Sequence, residues 1–574
     1  MPALRAADVV AQAVGQELGR RAVLLGCMPQ RRQVGTLRRA GLRRDVADTV
    51  QQLLRERIGD STPAIKYGEQ VWTWQTHLDE AGRHASALIA RGDQSRPLHV
   101  GTLLGNTPQM LTAMAAAGLG GYVLCGINNT RRGDALARDI AKADCQILLT
   151  DAANARLLDG LELPGVQVID VDSPDWGAVL DGTGELTAHR EVAAGDTFML
   201  IFTSGTSGEP KAVQVAHMMV PFSGVNLVQR FSITPDDVCY LSMPLFHSNA
   251  LLAGWSVALV SGAAMAPATF SASALLDDVR RYGVTYMNYV GKPLAYVLAT
   301  PARPDDHANP LRVAFGNEAA ERDIAEFGRR FGCTVWDGFG STEGAVIITR
   351  DGDCPPGSVG RGFPGVAIYD PDTLTECATA VFDDTGALVN PQEAIGEIVN
   401  TTGAGLFSGY YNDPQATGER LREGMYWSGD LAYRDVDGWI YLAGRTGDWL
   451  RVDGENLACA PIERILQRLE PVSRVAVYAV PDEAVGDAVM AAIVLRDGCT
   501  LSPEQFSEFL DTQPDLSPKA WPRHVWIADD LPATATNKII KRQLSALGLD
   551  VPSGVLWRRD GRGRDYAAQE QART

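Results

Sequence analysis

The chain has 574 residues, too many for one packed core, since single cores stop growing near ~250 to 300 residues, so at least two domains are expected. With 45% apolar and 21% charged residues, and Gly and Pro dispersed along its length, it reads as globular, which excludes a disordered or fibrous polymer. A formal charge of -18 repels phosphate backbones and anionic headgroups, so nucleic acid is not an expected partner.

Residues 1–44 form an Arg-rich extension that stands apart from the acidic remainder. It reads as a solvated arm, and it is the one candidate for peripheral membrane contact. The opening MPALRAADVV lacks a secretory pattern, the closing QART is no targeting address, and the Cys residues form no C-x-x-C pair. A cytoplasmic protein without a disulfide framework or zinc ribbon is expected. Two charge-free stretches, 110–130 and 240–276, are broken by Gly, Asn, Ser or Pro, and read as buried helices and strands rather than membrane spans.

From about Asp45, amphipathic stretches such as AGRHASALIARG alternate with short apolar runs such as CQILLTD, VQVIDV and FMLIF. That rhythm predicts an α/β body of mostly parallel sheets flanked by helices, because strands covered on both faces are continuously apolar. The C-terminal part reads as a smaller α+β domain: PIERILQRLE has helical spacing, RVAVYAV and DAVMAAIVL read as strands, and SPEQFSEFL opens a helix. In that helix Ser502 is the expected cap, Pro503 fits the first turn and Gln505 closes a capping box. The expected divisions are 1–44, 45–443 and 444–574.

Two segments carry chemistry on their residue types. Thr203-Ser204-Gly205-Thr206-Ser207-Gly208-Glu209-Pro210-Lys211 follows the apolar run 198–202. Its glycines let backbone N–H groups turn inward, its hydroxyls add donors and Lys211 adds a cation, which suits a polyphosphate. A Walker A loop is excluded, because Glu209 and Pro210 intervene before the lysine and no Ser or Thr follows it. Alone, the segment is equally a Gly/Ser surface loop. In Asp337-Gly338-Phe339-Gly340-Ser341-Thr342-Glu343-Gly344, an aromatic face can stack on a purine, a hydroxyl can bond a phosphate oxygen, and a carboxylate can hold Mg2+.

The loop matches T-S-G-T-(T/S)-G-x-P-K throughout, and with it the chain resembles the adenylate-forming (ANL) superfamily of acyl-CoA synthetases, luciferases and peptide-synthetase adenylation domains. Three further segments match in order: the one at 337–344, Tyr426-Trp427-Ser428-Gly429-Asp430 with Gly444-Arg445, and 532–542 with Asn537-Lys538. The resemblance spans about Asp45 to Leu547. It implies ATP, Mg2+ and coenzyme A as reactants or cofactors, with Thr203, Ser204, Gly205, Thr206, Ser207, Gly208 and Lys211 around the phosphates. Phe339 would stack on the base, Thr342 bond a phosphate oxygen, and Glu343 hold the metal. Asp430 would accept the ribose hydroxyls, Arg445 bond ribose or phosphate, and Lys538 act as the catalytic lysine. Phe339 replaces the usual Tyr, and Gly447 stands where many members carry a charged pivot; glycine keeps a hinge role and loses the charged contacts.

Pro244-Leu245-Phe246-His247-Ser248-Asn249 is similar to the segment gating the acyl pocket, which puts His247 at the carboxylate end; a structural histidine is the alternative. Asn128-Asn129-Thr130-Arg131-Arg132 and 445–456 resemble the branch of fatty-acid transport proteins and very-long-chain acyl-CoA synthetases, together with actinobacterial fatty-acyl and steroid side-chain CoA ligases. The implied reaction converts a lipid carboxylic acid and ATP to an acyl-adenylate and then, with CoA, to acyl-CoA, AMP and pyrophosphate. A steroid side-chain CoA ligase, an acyl-AMP ligase loading a carrier protein, and a lipid-binding or transport protein without catalysis are the competing readings, and intact Thr342, Glu343, Asp430, Arg445 and Lys538 argue against the last.

Overall fold

The computed structural model describes residues 47–568 except 204–209, 351–352, 385, 387, 446–448, 453–454, 483–485, 534–538 and 560–562. Ser204, Gly205, Thr206, Ser207, Gly208, Gly447, Lys538 and the 1–44 extension therefore lie outside the described residues.

Two parallel sheets form the body. The first runs Gln167–Asp170, Ile147–Thr150, His99–Leu103, Val123–Gly126, Thr197–Thr203 and Lys211–Ala216, parallel except for the last pair. The second runs Thr334–Gly338, Val313–Asn317, Tyr286–Val290, Val238–Leu241, Ala264–Pro267, Pro63–Tyr67 and Gln70–Thr73, again with one antiparallel edge. The main core lies between them, where Val100, Leu124 and Met199 of one sheet and Ile65, Leu241 and Met265 of the other share a cluster with helices Trp74–Arg91 and Pro108–Gly120. Alternate residues, Leu103, Leu148 and Leu200 of the first sheet and Tyr240, Met287 and Tyr289 of the second, face separate outer clusters. Both faces being covered is why these strands are apolar without alternation.

The long first helix starts where Thr73 and Thr76 satisfy each other's backbone amides in a capping box. Its Leu78, Ala81, Ala85 and Leu88 recur at helical spacing and are buried. The charge-free stretch 110–130 becomes most of the buried helix Pro108–Gly120 and the strand Val123–Gly126. The stretch 240–276 is divided among strands, turns and short helices. Among the described residues no helix is long and apolar enough to cross a membrane.

A third sheet was not expected from the apolar runs. Ile348–Thr349, Gly360–Gly362, Trp439–Arg445, Met425–Arg434, Gly396–Asn400 and Val366–Tyr369 pair antiparallel throughout. It joins the first sheet through the segment 409–411, where Gln214 N–H donates to Gly409 O (3.1 Å) and Tyr411 N–H to Ala212 O (2.8 Å).

The small C-terminal domain has its own mixed sheet. Val472–Asp482 and Gly486–Leu495 form a long antiparallel pair whose residues alternate between two clusters: Val475 and Val477 face Ile462, Leu466 and Phe506, while Ala476 and Tyr478 face Met490, Trp526 and Leu544. The helix Cys459–Leu466 buries Ile462, Ile465 and Leu466 as its spacing predicts. Helix Pro503–Asp511 is capped by Ser502, whose hydroxyl accepts from Gln505 N–H in a capping box. Trp439–Arg445 belongs to the third sheet and Trp449–Val452 to that of the small domain. Arg464 ties the two domains by donating to Leu442 O (3.1 Å) and Tyr433 Oη (3.2 Å).

Candidate functional site

The end of one strand and the start of the next bracket the hydroxyl-rich loop. Thr203 closes Thr197–Thr203, Lys211 opens Lys211–Ala216, and the two are paired in register. Lys211 is 8% exposed, and its ammonium lies over the Tyr410 ring at 5.1 Å from its centroid and stands 3.7 Å from Glu419. It is thus a buried cation beside the segment that joins the first and third sheets.

The 337–344 segment leaves the edge strand Thr334–Gly338 of the second sheet. Phe339 is half-buried against the cluster of Ile348, Phe407 and Tyr410. Thr342 and Glu343 sit in a turn, where Gly344 has φ 64 and its N–H donates to Ser341 O (3.2 Å). The Thr342 hydroxyl meets that of Ser248 at 2.8 Å, and Tyr410 O–H donates to Glu343 Oε1 at 2.9 Å. Both contacts reach side chains distant in sequence, because a turn offers no ladder of its own to hold them.

Asp337 accepts from Tyr289 O–H and Ala319 N–H, both at 3.0 Å. Burial pushes its carboxyl up to about 7, against the opposing effect of those two bonds. Glu318, which stands next to Ala319 with φ 66, raises it further.

Asp430 and Arg445 are cross-strand partners in the third sheet, with Arg445 Nε donating to Asp430 Oδ1 at 3.1 Å. The Asp430 carboxylate raises the Arg445 guanidinium above its ordinary range, and Glu318 and Glu343 act in the same direction. Asp430, Glu318 and Glu343 therefore all act on Arg445, although only Asp430 and Arg445 share a sheet, Glu318 follows the strand Val313–Asn317 and Glu343 sits in a turn. Arg420 joins this group: the tyrosines 410 and 426 and Glu343 raise it against the effect of burial. Beside Asp430, Gly429 has φ 76 and gives its N–H to buried Glu397 at 2.6 Å. A Cβ at Gly429 would come within 2.4 Å of Arg420 Nη1.

His247 caps the short helix Ser248–Ala250, which continues as a π-helix, Leu251–Trp255, a form that recurs at functional sites. Burial lowers its imidazole to about 4, so it is neutral at ordinary pH, and its ring packs on Phe246 at 4.6 Å. Asn249 donates to Tyr289 O (3.2 Å) and accepts from Asn288 (2.7 Å), and Tyr289 in turn bonds Asp337. The 247–249 turn is thereby connected to the 337–343 segment twice, through Ser248 and through Tyr289.

Of the residues singled out from the sequence, Asp430 and Arg445 are paired and Glu343 acts on Arg445, Lys211 and Glu343 both meet Tyr410, and Thr342 meets Ser248, the residue next to His247. Tyr410, Arg420, Ser248 and Asp337 carry no pattern of their own and were missed. The signal available was indirect: Ser248 follows His247, Asp337 opens a quoted segment, and Tyr410 precedes an Asn-Asp-Pro helix start in which Asp413 caps Ala416. Cations and carboxylates in one place, with hydroxyls and a half-buried aromatic ring, can hold a charged ligand that also presents hydroxyls and a flat base.

Residues 56–411 match the family model described as AMP-binding enzyme, and residues 461–538 match that of the AMP-binding enzyme C-terminal domain. The medium/long-chain-fatty-acid–CoA ligase FadD17 of Mycobacterium tuberculosis is 52% identical over 510 residues, covering 87% of this chain and 97% of that protein. The steroid-22-oyl-CoA synthetase of Rhodococcus jostii is 44% identical over 504 residues, covering 86% and 90%. Among solved structures, ATP-bound MatB from Rhodopseudomonas palustris superposes with a TM-score of 0.76 at 25% identity, covering 87% of this chain and 98% of that one.

Proposed function

The chain belongs to the AMP-binding enzyme family, and from that premise we propose that it is an AMP-forming ligase that joins a medium- or long-chain fatty acid to coenzyme A through an acyl-adenylate. The observation that carries this reading is the Asp430–Arg445 pair of the third sheet, on which Glu343 acts from the turn that follows the edge of the second sheet, a charge group suited to a nucleotide. The chain acid is favoured because a fatty-acid ligase shares 52% of its residues and a steroid-acid ligase 44%.

A free carboxylate must be activated, since its leaving group would otherwise be oxide. One carboxylate oxygen attacks the α-phosphorus of ATP in line, the new C–O–P link forms, and the bond to the β-phosphate breaks to release pyrophosphate. Asp430 accepts the ribose hydroxyls, Arg445 steadies Asp430 and adds charge toward the phosphate, and Phe339 offers a face to the base. Thr342 donates to a phosphate oxygen. Residues 203–211 hold the departing pyrophosphate, and Lys538 neutralises charge between carboxylate and α-phosphate. His247, neutral and next to the Ser248–Thr342 contact, lines the carboxylate end. The CoA sulfur then attacks the acyl carbon, the bond to AMP breaks, and the thiol proton passes to solvent.

Magnesium fits Glu343, a hard oxygen donor with one carboxylate oxygen engaged by Tyr410. Among the described residues no group of three or more His, Cys, Asp or Glu forms a metal cage, so a bound Mg2+ would complete its shell with phosphate and water oxygens. When bound it supplies neutralisation of the phosphate charge.

The working division is an adenylation domain over 45–443 and a mobile lid over 444–574 turning about Gly447, with the two strands flanking that position belonging to different sheets. The test is release of pyrophosphate, and formation of acyl-CoA, in the presence of ATP and CoA across short, medium, long and steroid side-chain acids. Turnover of medium- or long-chain acids supports the reading; pyrophosphate release without thioester on CoA would transfer the chain to the carrier-loading class, and no release with any acid would overturn it.

A further inference from the structure

We infer that Tyr410 is a positioning residue that fixes the Glu343 carboxylate for the metal-bound nucleotide. The inference rests on the reading of Glu343 given above. Glu343 occupies a turn, so nothing in its own backbone restrains its side chain. Tyr410 supplies that restraint from a rigid place. Its backbone bridges Val213 on the edge of the first sheet, its side chain is 4% exposed, and its ring is packed edge-on against Phe407 at 5.1 Å and covered by the Lys211 ammonium.

A phenol has one proton to give. A carboxylate can only accept, so that proton is directed to Glu343 Oε1 at 2.9 Å, and the Arg420 guanidinium, which can only donate, acts electrostatically on the same phenol and on Glu343. The second carboxylate oxygen stays outside this bond. Arg420 is itself anchored by donating to Trp427 O at 3.3 Å, and it passes where only a glycine leaves space, since a Cβ at Gly429 would stand 2.4 Å from its Nη1. With φ 76, Gly429 takes a left-handed conformation inside the strand Met425–Arg434 and, next to Asp430, clears the path for Arg420.

The test uses the full chain and the Tyr410→Phe variant, which keeps the ring and removes only the hydroxyl. Calorimetric titration with ATP, with and without Mg2+ and with no acid present, should show a roughly fivefold weaker affinity only when Mg2+ is present. The Mg2+ concentration for half-maximal pyrophosphate release should rise by about the same factor, with KM for the fatty acid unchanged. Tyr410→Phe combined with Glu343→Gln should be no worse than Glu343→Gln alone, because Tyr410 acts only through that carboxylate. Arg420→Met should shift the Mg2+ dependence in the same direction. Wild-type Mg2+ dependence in Tyr410→Phe, an equal loss of affinity with and without Mg2+, or losses that multiply in the double variant would overturn the inference. If the unaltered chain releases no pyrophosphate with any acid, the functional reading falls, while the calorimetric comparison still decides the role of Tyr410.

Discussion

Ser248 and Thr342 meet hydroxyl to hydroxyl at 2.8 Å, joining the turn that carries His247 to the turn that carries Glu343. A hydroxyl donates once, so a Thr342 that accepts from Ser248 keeps its proton for a phosphate oxygen, whereas one that donates to Ser248 does not.

Ser248→Ala should therefore slow acyl-adenylate formation by roughly ten- to a hundredfold, the scale of losing a fixed orientation at a reacting centre. The KM for ATP should change little, and Ser248→Thr should restore most of the rate. Pre-steady-state pyrophosphate release measures this directly. A Ser248→Ala chain with unaltered kcat would show that Thr342 needs no such partner.

Asp430→Ala should weaken nucleotide binding by about tenfold to a hundredfold, because a carboxylate accepting two hydroxyls loses charge-assisted bonds each worth about 1.5 to 3 kcal/mol, partly replaced by water. It also strips Arg445 of the carboxylate that holds it at 3.1 Å. Titration with AMP avoids any contribution from chemistry. Unchanged affinity would count against the ribose role and leave the pair a structural cross-strand contact.

The parts of this molecule that were legible beforehand are those encoded locally. The capping box at Ser502 and Gln505 is a statement about four consecutive residues, and it forms as written. The run 198–202 is apolar without alternation because its sheet is covered on both faces. The antiparallel third sheet escaped notice because its strands bury residues unevenly: Met425–Arg434 alternates neither cleanly nor continuously, and a register shift falls between Leu431 and Ala432. Tyr410 and Arg420 could not be found from spacing at all. Tyr410 matters for its bond to Glu343 and Arg420 for its charge acting on both, and the Tyr410 contact arises only when the segment 409–411 pairs with the edge of the first sheet.

Lys538→Ala should separate the two half-reactions. Lys538 lies outside the described residues, so the expectation rests on its place in the C-terminal motif. Acyl-AMP formation should fall by about a hundredfold or more, the cost of removing a charge aimed at a developing anion. Thioester formation from supplied acyl-AMP and CoA should be largely retained. Equal loss in both assays would remove the lysine from its assigned step.

Acid should destabilise the large domain through its buried histidines. His77 is 1% exposed, neither ring nitrogen has a hydrogen-bond partner among the described residues, and burial lowers its imidazole from 6.5 to about 4. The native state thus refuses a proton that the unfolded chain takes up, so the stability held above pH 6.5 is lost as the pH falls from 6.5 toward 4. A shift of this size amounts to about 3 kcal/mol at most for one residue. His217 behaves alike, with both ring nitrogens unpartnered among the described residues and the same direction and leading cause. His77→Leu should therefore flatten the acid limb of the stability profile while changing little above pH 7, where the imidazole it replaces is already neutral. Because the small domain has a separate core, the effect belongs in the urea transition of the large domain alone. A His77→Leu chain whose large-domain midpoint falls between pH 6.5 and 4 as steeply as the unaltered protein would place the acid sensitivity elsewhere.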